Sequence, residues 1–181
     1  MPNEGTMGED GTGRTPRRDA GADARDSARG RRARRGARLA ALLVALVLAA
    51  IGIDGALHAS GLGAVGRWLG PLGTGLIVAS FGYSMRKRDR IRVGSARAWL
   101  RLHEALALLG ALALLVHGGV HLHALLPWLA VLAMLVAVAS GLTGELLLGR
   151  DLSTWRVVHL PIALNFAVLA ALHIVTVVVF R

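Results

Sequence analysis

The sequence predicts an all-α fold, an integral membrane bundle of five transmembrane helices. Apolar residues make up 54% of the chain and gather into five blocks, each long enough to cross about 30 Å of hydrocarbon. Charged residues, 21 Lys and Arg against 11 Asp and Glu, lie almost entirely outside those blocks. Inside the blocks four histidines recur at one spacing, and that pattern carries the functional reading. Cysteine is absent. Disulfides, thiolate metal or iron-sulfur sites and covalent c-type haem attachment are therefore excluded, and any metal must be held by histidine or oxygen.

Residues Met1 to Arg38 come first, rich in Gly, Ala, Asp and Arg with no periodic apolar position, and are expected to be disordered. Their Arg run (Arg29, Arg31, Arg32, Arg34, Arg35, Arg38) abuts the first apolar block, as suits a cytoplasmic flank drawn to anionic membrane lipid. That position accounts for the charge without nucleic acid. The bundle is expected over 39–181. Its first span, about Leu39 to Leu57, lacks the short apolar region and small-residue cleavage site of a leader peptide. The second is Trp68 to Met85, and the third is Ala98 to Val120, loosened at its end by Gly118 and Gly119. The fourth, Leu126 to Leu148, opens with Pro127 in its first turn. The fifth, Trp155 to Phe180, is expected to take Ser153 as its cap and to bend at Pro161, which removes a backbone hydrogen bond beside His159. Arg and Lys cluster in alternate connections: before span one, between two and three (Arg86, Lys87, Arg88, Arg90, Arg92, Arg97), and between four and five (Arg150, Arg156). The positive-inside rule then puts the N-terminus in the cytoplasm and the C-terminus outside the cell membrane.

His103 and His117 lie in span three, His159 and His173 in span five, and each pair is separated by fourteen residues. At a rise of about 1.5 Å and a turn of about 100° per residue, the members of a pair share one helix face about 21 Å apart. Spans three and five run in the same direction, so the pairs align in depth: His103 with His159 in a cytoplasmic layer, His117 with His173 in an outer one. A neutral imidazole from each helix gives a six-coordinate haem iron suited to electron transfer, with no open position for a substrate. A single intramembrane histidine is often only an interhelical hydrogen bonder. The same spacing twice, aligned in depth, is what points to two haems. Gly110, halfway between His103 and His117, together with Ala107, Ala111, Ala113, Ala167, Ala170 and Ala171, is expected to leave room for a flat macrocycle, although small residues also serve ordinary helix packing. Arg97, Arg101 and Arg156 stand where they would pair with propionates of the cytoplasmic-side haem, a role that competes with plain topology setting.

The runs Trp99-Leu-Arg-Leu-His103 through His117, and Trp155-Arg-Val-Val-His159 through His173, resemble the haem-binding helices of ferric reductase-like transmembrane proteins, NADPH oxidases included. The paired arrangement around one intervening helix is also similar to cytochrome b of quinol-oxidising complexes. The resemblance covers roughly Ala98 to Phe180. It implies a b-type dihaem four-helix core, with His103, His159, His117 and His173 as ligands of two b-type haems. It further implies a membrane subunit of an oxidoreductase, ferric reductase-like or quinol-oxidising, that moves electrons between the faces of the membrane. The flavin and nicotinamide domain usual in such reductases has no stretch available to it here, so the donor is expected to be a separate redox partner protein or a quinol. The string Gly61-Leu-Gly-Ala-Val-Gly66 fits G-x-G-x-x-G, but no strand precedes it, and it is not read as a nucleotide site.

Other polar residues have two readings each. His58, His121 and His123, with Asp54, carry donor types for Zn, Cu or an incoming iron at the outer end, or are interfacial residues and propionate partners. Glu145 either passes protons to a quinone or pairs with Arg150 or Arg156. Glu104 is expected to turn away from the ligand face towards the interface, and Asn165 to hydrogen-bond a neighbouring helix. Two other functions stay open at this point. One is a metal-ion transporter or sensor using the histidines directly, opposed by the roughly 21 Å between the layers. The other is a structural membrane subunit whose histidines only pack helices.

Overall fold

The computed structural model describes residues 16–87, 93–119, 125–144 and 152–180. Helix runs through all four stretches, and no strand occurs among the described residues. The elements are α1 (Pro16–Ala59), α2 (Gly63–Ser80), α3 (Gly82–Lys87), α4 (Ala96–Gly118), α5 (Leu125–Thr143) and α6 (Leu152–Val179). Four stretches are long and apolar enough to cross a membrane: Ser27–Ala59, Ala96–Gly118, Leu125–Thr143 and Trp155–Val179. Large apolar side chains such as Leu42, Leu48, Leu132, Leu164 and Val178 lie exposed along them. This is a multi-pass membrane protein, with its backbone polar groups satisfied within helices and its apolar side chains turned outward.

Two expectations change. The stretch up to Arg38 is not disordered where it is described: α1 is one helix of 44 residues running from Pro16 into the apolar block. Ala and Arg are strong helix formers, Pro16 stands at the first helical position, and extending a helix already nucleated by its apolar half costs little. The fifth crossing is also missing from the four. α2 is 18 residues long and carries Arg67, Pro71 and five glycines, too little apolar length to qualify by composition. It starts ahead of the expected Trp68, at Gly63, which draws the end of the Gly61 to Gly66 string into its first turn. Smaller differences lie at the ends. α6 begins at Leu152, before the expected cap Ser153, and continues as helix through Pro161.

Local chemistry explains the boundaries. Ser95 caps α4, its Oγ accepting from the Ala98 N–H at 3.2 Å. Gly119 ends it with φ 53°, a left-handed conformation natural only to glycine, and its N–H reaches Leu115 O. At Phe81 the helix tightens: Ser84 N–H bonds Phe81 O at 2.9 Å, which leaves the Ser80 carbonyl without its usual partner four residues on.

α2 lies antiparallel along α4 in a register that repeats every seven residues. Ser80 faces His103, Gly73 faces Gly110, and Gly66 faces His117. At Gly73 and Gly110 the backbones touch: a Cβ added to Gly73 would sit 2.9 Å from Gly110 O, and one added to Gly110 would sit 3.0 Å from Gly73 O. Small residues at such a seam let membrane helices approach closely, and a seven-residue period keeps them nearly parallel in axis. The Gly110 space is therefore filled by α2, not kept for a macrocycle.

On the other side of α4 stands a small core: Ala111 of α4, Ala133, Met134 and Ala137 of α5, and Phe166 of α6. By backbone, α6 approaches only α5 among the described residues. No Cα of α6 comes within 8 Å of α1, α2 or α4 among the described residues. Only side chains bridge the space between α4 and α6, and Phe166, seven residues from both His159 and His173, occupies its middle level.

Candidate functional site

The four histidines fall into two pairs, each with one imidazole from α4 and one from α6: His159 lies within electrostatic reach of His103, and His173 of His117.

Three of the rings are fixed through Nδ1. His103 Nδ1 donates to the Ser80 carbonyl at 2.9 Å, the acceptor freed by the tightened turn at Phe81. His117 Nδ1 donates to Gly66 O at 3.0 Å, and the ring lies on Gly70, where an added Cβ would be 2.8 Å from Nε2. Pro71 lacks an N–H and so loosens this same turn of α2. On α6, His159 Nδ1 lies 2.8 Å from Ser140 Oγ, and that hydroxyl also lies 2.8 Å from Ala137 O. His103 and His117, whose Nδ1 partners are carbonyls, carry the proton on Nδ1 and leave Nε2 with its lone pair. A metal-bound histidine is held in this way, its second nitrogen donating to a carbonyl or hydroxyl. His173 is half-buried, and its ring makes no hydrogen bond among the described residues.

The two Trp-x-x-x-His runs fold differently. Trp155 stacks on His159, with centroids 4.7 Å apart and planes 12° from parallel, and donates Nε1–H to the Ser140 carbonyl at 2.8 Å. Its indole lies over Gly144 and the His159 ring over Gly141, so three α5 positions make the seat. Trp99 instead donates to Val93 O at 2.7 Å and packs on Gly82. The aromatic neighbour of His103 is Tyr83, 5.9 Å away and tilted by 36°.

The remaining candidates scatter. Arg97, Arg101 and Arg156 are exposed, all at the end of the bundle that holds His103 and His159. His58 pairs with Asp54 of its own helix at 3.2 Å, and no three His, Asp or Glu residues gather as a metal site among the described residues. His121, His123, Glu145 and Arg150 lie outside the described residues. Glu104 is half-buried, whereas Asn165 is exposed on α6 and bonds no other helix among the described residues, against expectation. Ala111 and Ala113 are buried, Ala111 within the small core.

Sequence reasoning missed Ser140, Tyr83, Phe166 and the two acceptor carbonyls. One signal was available: Gly66, Gly73 and Ser80 step by seven residues, half the histidine interval, and mark α2 as the helix that runs alongside. Compared with family models, curated proteins and solved structures, the chain matches none.

Proposed function

We propose that this protein is a b-type dihaem cytochrome that relays single electrons across the membrane, with His103 and His159 as axial ligands at one level and His117 and His173 at the other. The observation that carries it is the state of the imidazoles: an α6 ring within electrostatic reach of each α4 ring, on helices whose backbones stay apart, with Nδ1 engaged on three of the four. Haem bound there would supply reversible one-electron chemistry with both axial positions filled.

The residues do the rest. α2 holds the two α4 rings through its carbonyls along the whole interval between the levels, and on this reading it is the fifth crossing, sheltered by α4 despite its glycines and Arg67. α5 holds His159. Exposed Arg97, Arg101 and Arg156 would meet propionates at the His103 level, and the Arg run of α1 puts that end in the cytoplasm. Electrons would come from a quinol or a separate redox partner and leave for an acceptor at the other face.

The test is a reduced-minus-oxidised spectrum of the purified protein with a haem-to-protein ratio. Two haems per chain are expected. No haem, in cells that supply it, would sink the proposal, and a ratio of one would sink the two-level arrangement.

A further inference from the structure

We propose that Ser140 is the positioning residue for the His159 imidazole, fixing its plane and proton at one of the two levels; the inference rests on the dihaem reading. Ser140 holds α6 at two places one turn apart. Its Oγ lies 2.8 Å from His159 Nδ1, and its carbonyl accepts from Trp155 Nε1 at 2.8 Å, while the indole and imidazole stack on each other. Haem held through Nε2 would leave the His159 proton on Nδ1, so Ser140 Oγ would accept it and give its own hydrogen to Ala137 O, 2.8 Å away. Gly141 and Gly144 clear the α5 surface beneath the two rings. One residue therefore anchors both rings of this α6 run, the imidazole at Nδ1 and the indole at Nε1.

Among the described residues, no hydrogen-bond partner stands beside His173. Gly144 lies against Trp155, and Ser140 and Gly141 lie against His159. Carried on antiparallel, this register brings α5 to about Leu126 and Pro127 at the depth of His173, residues with no side-chain hydrogen-bonding group. A ligand whose second nitrogen donates a hydrogen bond is the more electron-rich one and favours the ferric state. Ser140 thus lowers the potential of the His159 level relative to what the bare ligand would give.

Ser140→Ala and Ser140→Thr in the haem-loaded protein test this. Ser140→Ala should keep two haems per chain, shift one of two low-spin ferric resonances, and raise one midpoint potential while sparing the other. Ser140→Thr, which keeps the hydroxyl, should return both towards the starting values. Unchanged resonances and potentials in Ser140→Ala, equal shifts at both haems, or failure of Ser140→Thr to restore them would overturn the assignment. The unmodified protein gives a check that needs no variant: its two ferric resonances should differ, and coincident ones would also overturn it. A protein without haem refutes the dihaem reading itself and is recognised before any variant is made.

Discussion

The two histidine levels repeat one another in sequence and differ in construction. At the first, both rings are held: His103 by the Ser80 carbonyl beside Tyr83, and His159 by Ser140 under a stacked Trp155. At the second, His117 is held by the Gly66 carbonyl but exposed, and His173 has no hydrogen bond among the described residues. The difference comes from the supporting helices. α2 treats both α4 histidines alike because its contacts repeat every seven residues, whereas α5 offers a hydroxyl to His159 and, among the described residues, no hydrogen bond to His173. A spacing in two helices sets where the imidazoles stand, and the neighbours decide how firmly each is held.

The largest disturbance should come from the element the levels share. Gly73→Leu puts a branched side chain where even a Cβ would lie 2.9 Å from the Gly110 carbonyl, so α2 must leave α4 and both Nδ1 acceptors go with it. The expected outcome is loss of both haems, read from the haem-to-protein ratio and from elution as aggregate on size exclusion. Gly75→Leu is the control, since nothing lies within 4 Å of an added Cβ there. Full haem content in Gly73→Leu would mean that α2 does not support the site.

Next are the histidines that the dihaem proposal makes ligands. His159→Ala and His173→Ala should each halve the haem content, and each should remove a different spectral component. Joint loss of both haems from a stable variant of either residue would show that the levels are not separate sites. A smaller change, confined to one level, is expected of Gly70→Ala. The new Cβ would displace the His117 ring, 2.8 Å away, without touching Ser80 or His103. Disturbed outer-shell support at metal ligands costs roughly ten- to a hundredfold in retention, so haem at this level should exchange to apomyoglobin faster by about that factor while the other keeps its rate. Equal acceleration at both would break the distinction.

Much of this was legible in the sequence, and the failures have physical causes. Long apolar blocks located the helices, since a membrane span needs length and little else. The shared face within each histidine pair was equally readable, because helical rise and turn are constants. The state of the stretch before Leu39 was misjudged: low complexity suggested disorder, yet its Ala and Arg content continues a helix that the neighbouring span has already nucleated. Gly110 was assigned to the wrong neighbour, because spacing along α4 says which residues share a face but not which helix covers it. Ser140 gave no signal at all. Its role depends on the antiparallel register of α5 and α6, which is set by Gly141 and Gly144 admitting the rings of His159 and Trp155.

That seat gives the smallest and most discriminating test of why the first level is the firmer one. Trp155 contributes both a stacked surface and an N–H donated to the Ser140 carbonyl. Trp155→Phe keeps an aromatic face over His159 and removes the donor. Interhelical hydrogen bonds in membranes average about 0.6 kcal/mol, so the thermal midpoint should fall by no more than a few degrees, with both haems retained. Gly144→Ala acts on the same residue from below, where an added Cβ would overlap the indole, so the ring must move and carry its stack and hydrogen bond with it. The glycine variant should therefore lose more stability than the tryptophan one and should perturb the His159-level resonance, which Trp155→Phe leaves near its place. If the two variants were equally mild, packing on α5 would not be what holds this level, and its firmness would have to come from α2 through His103 alone.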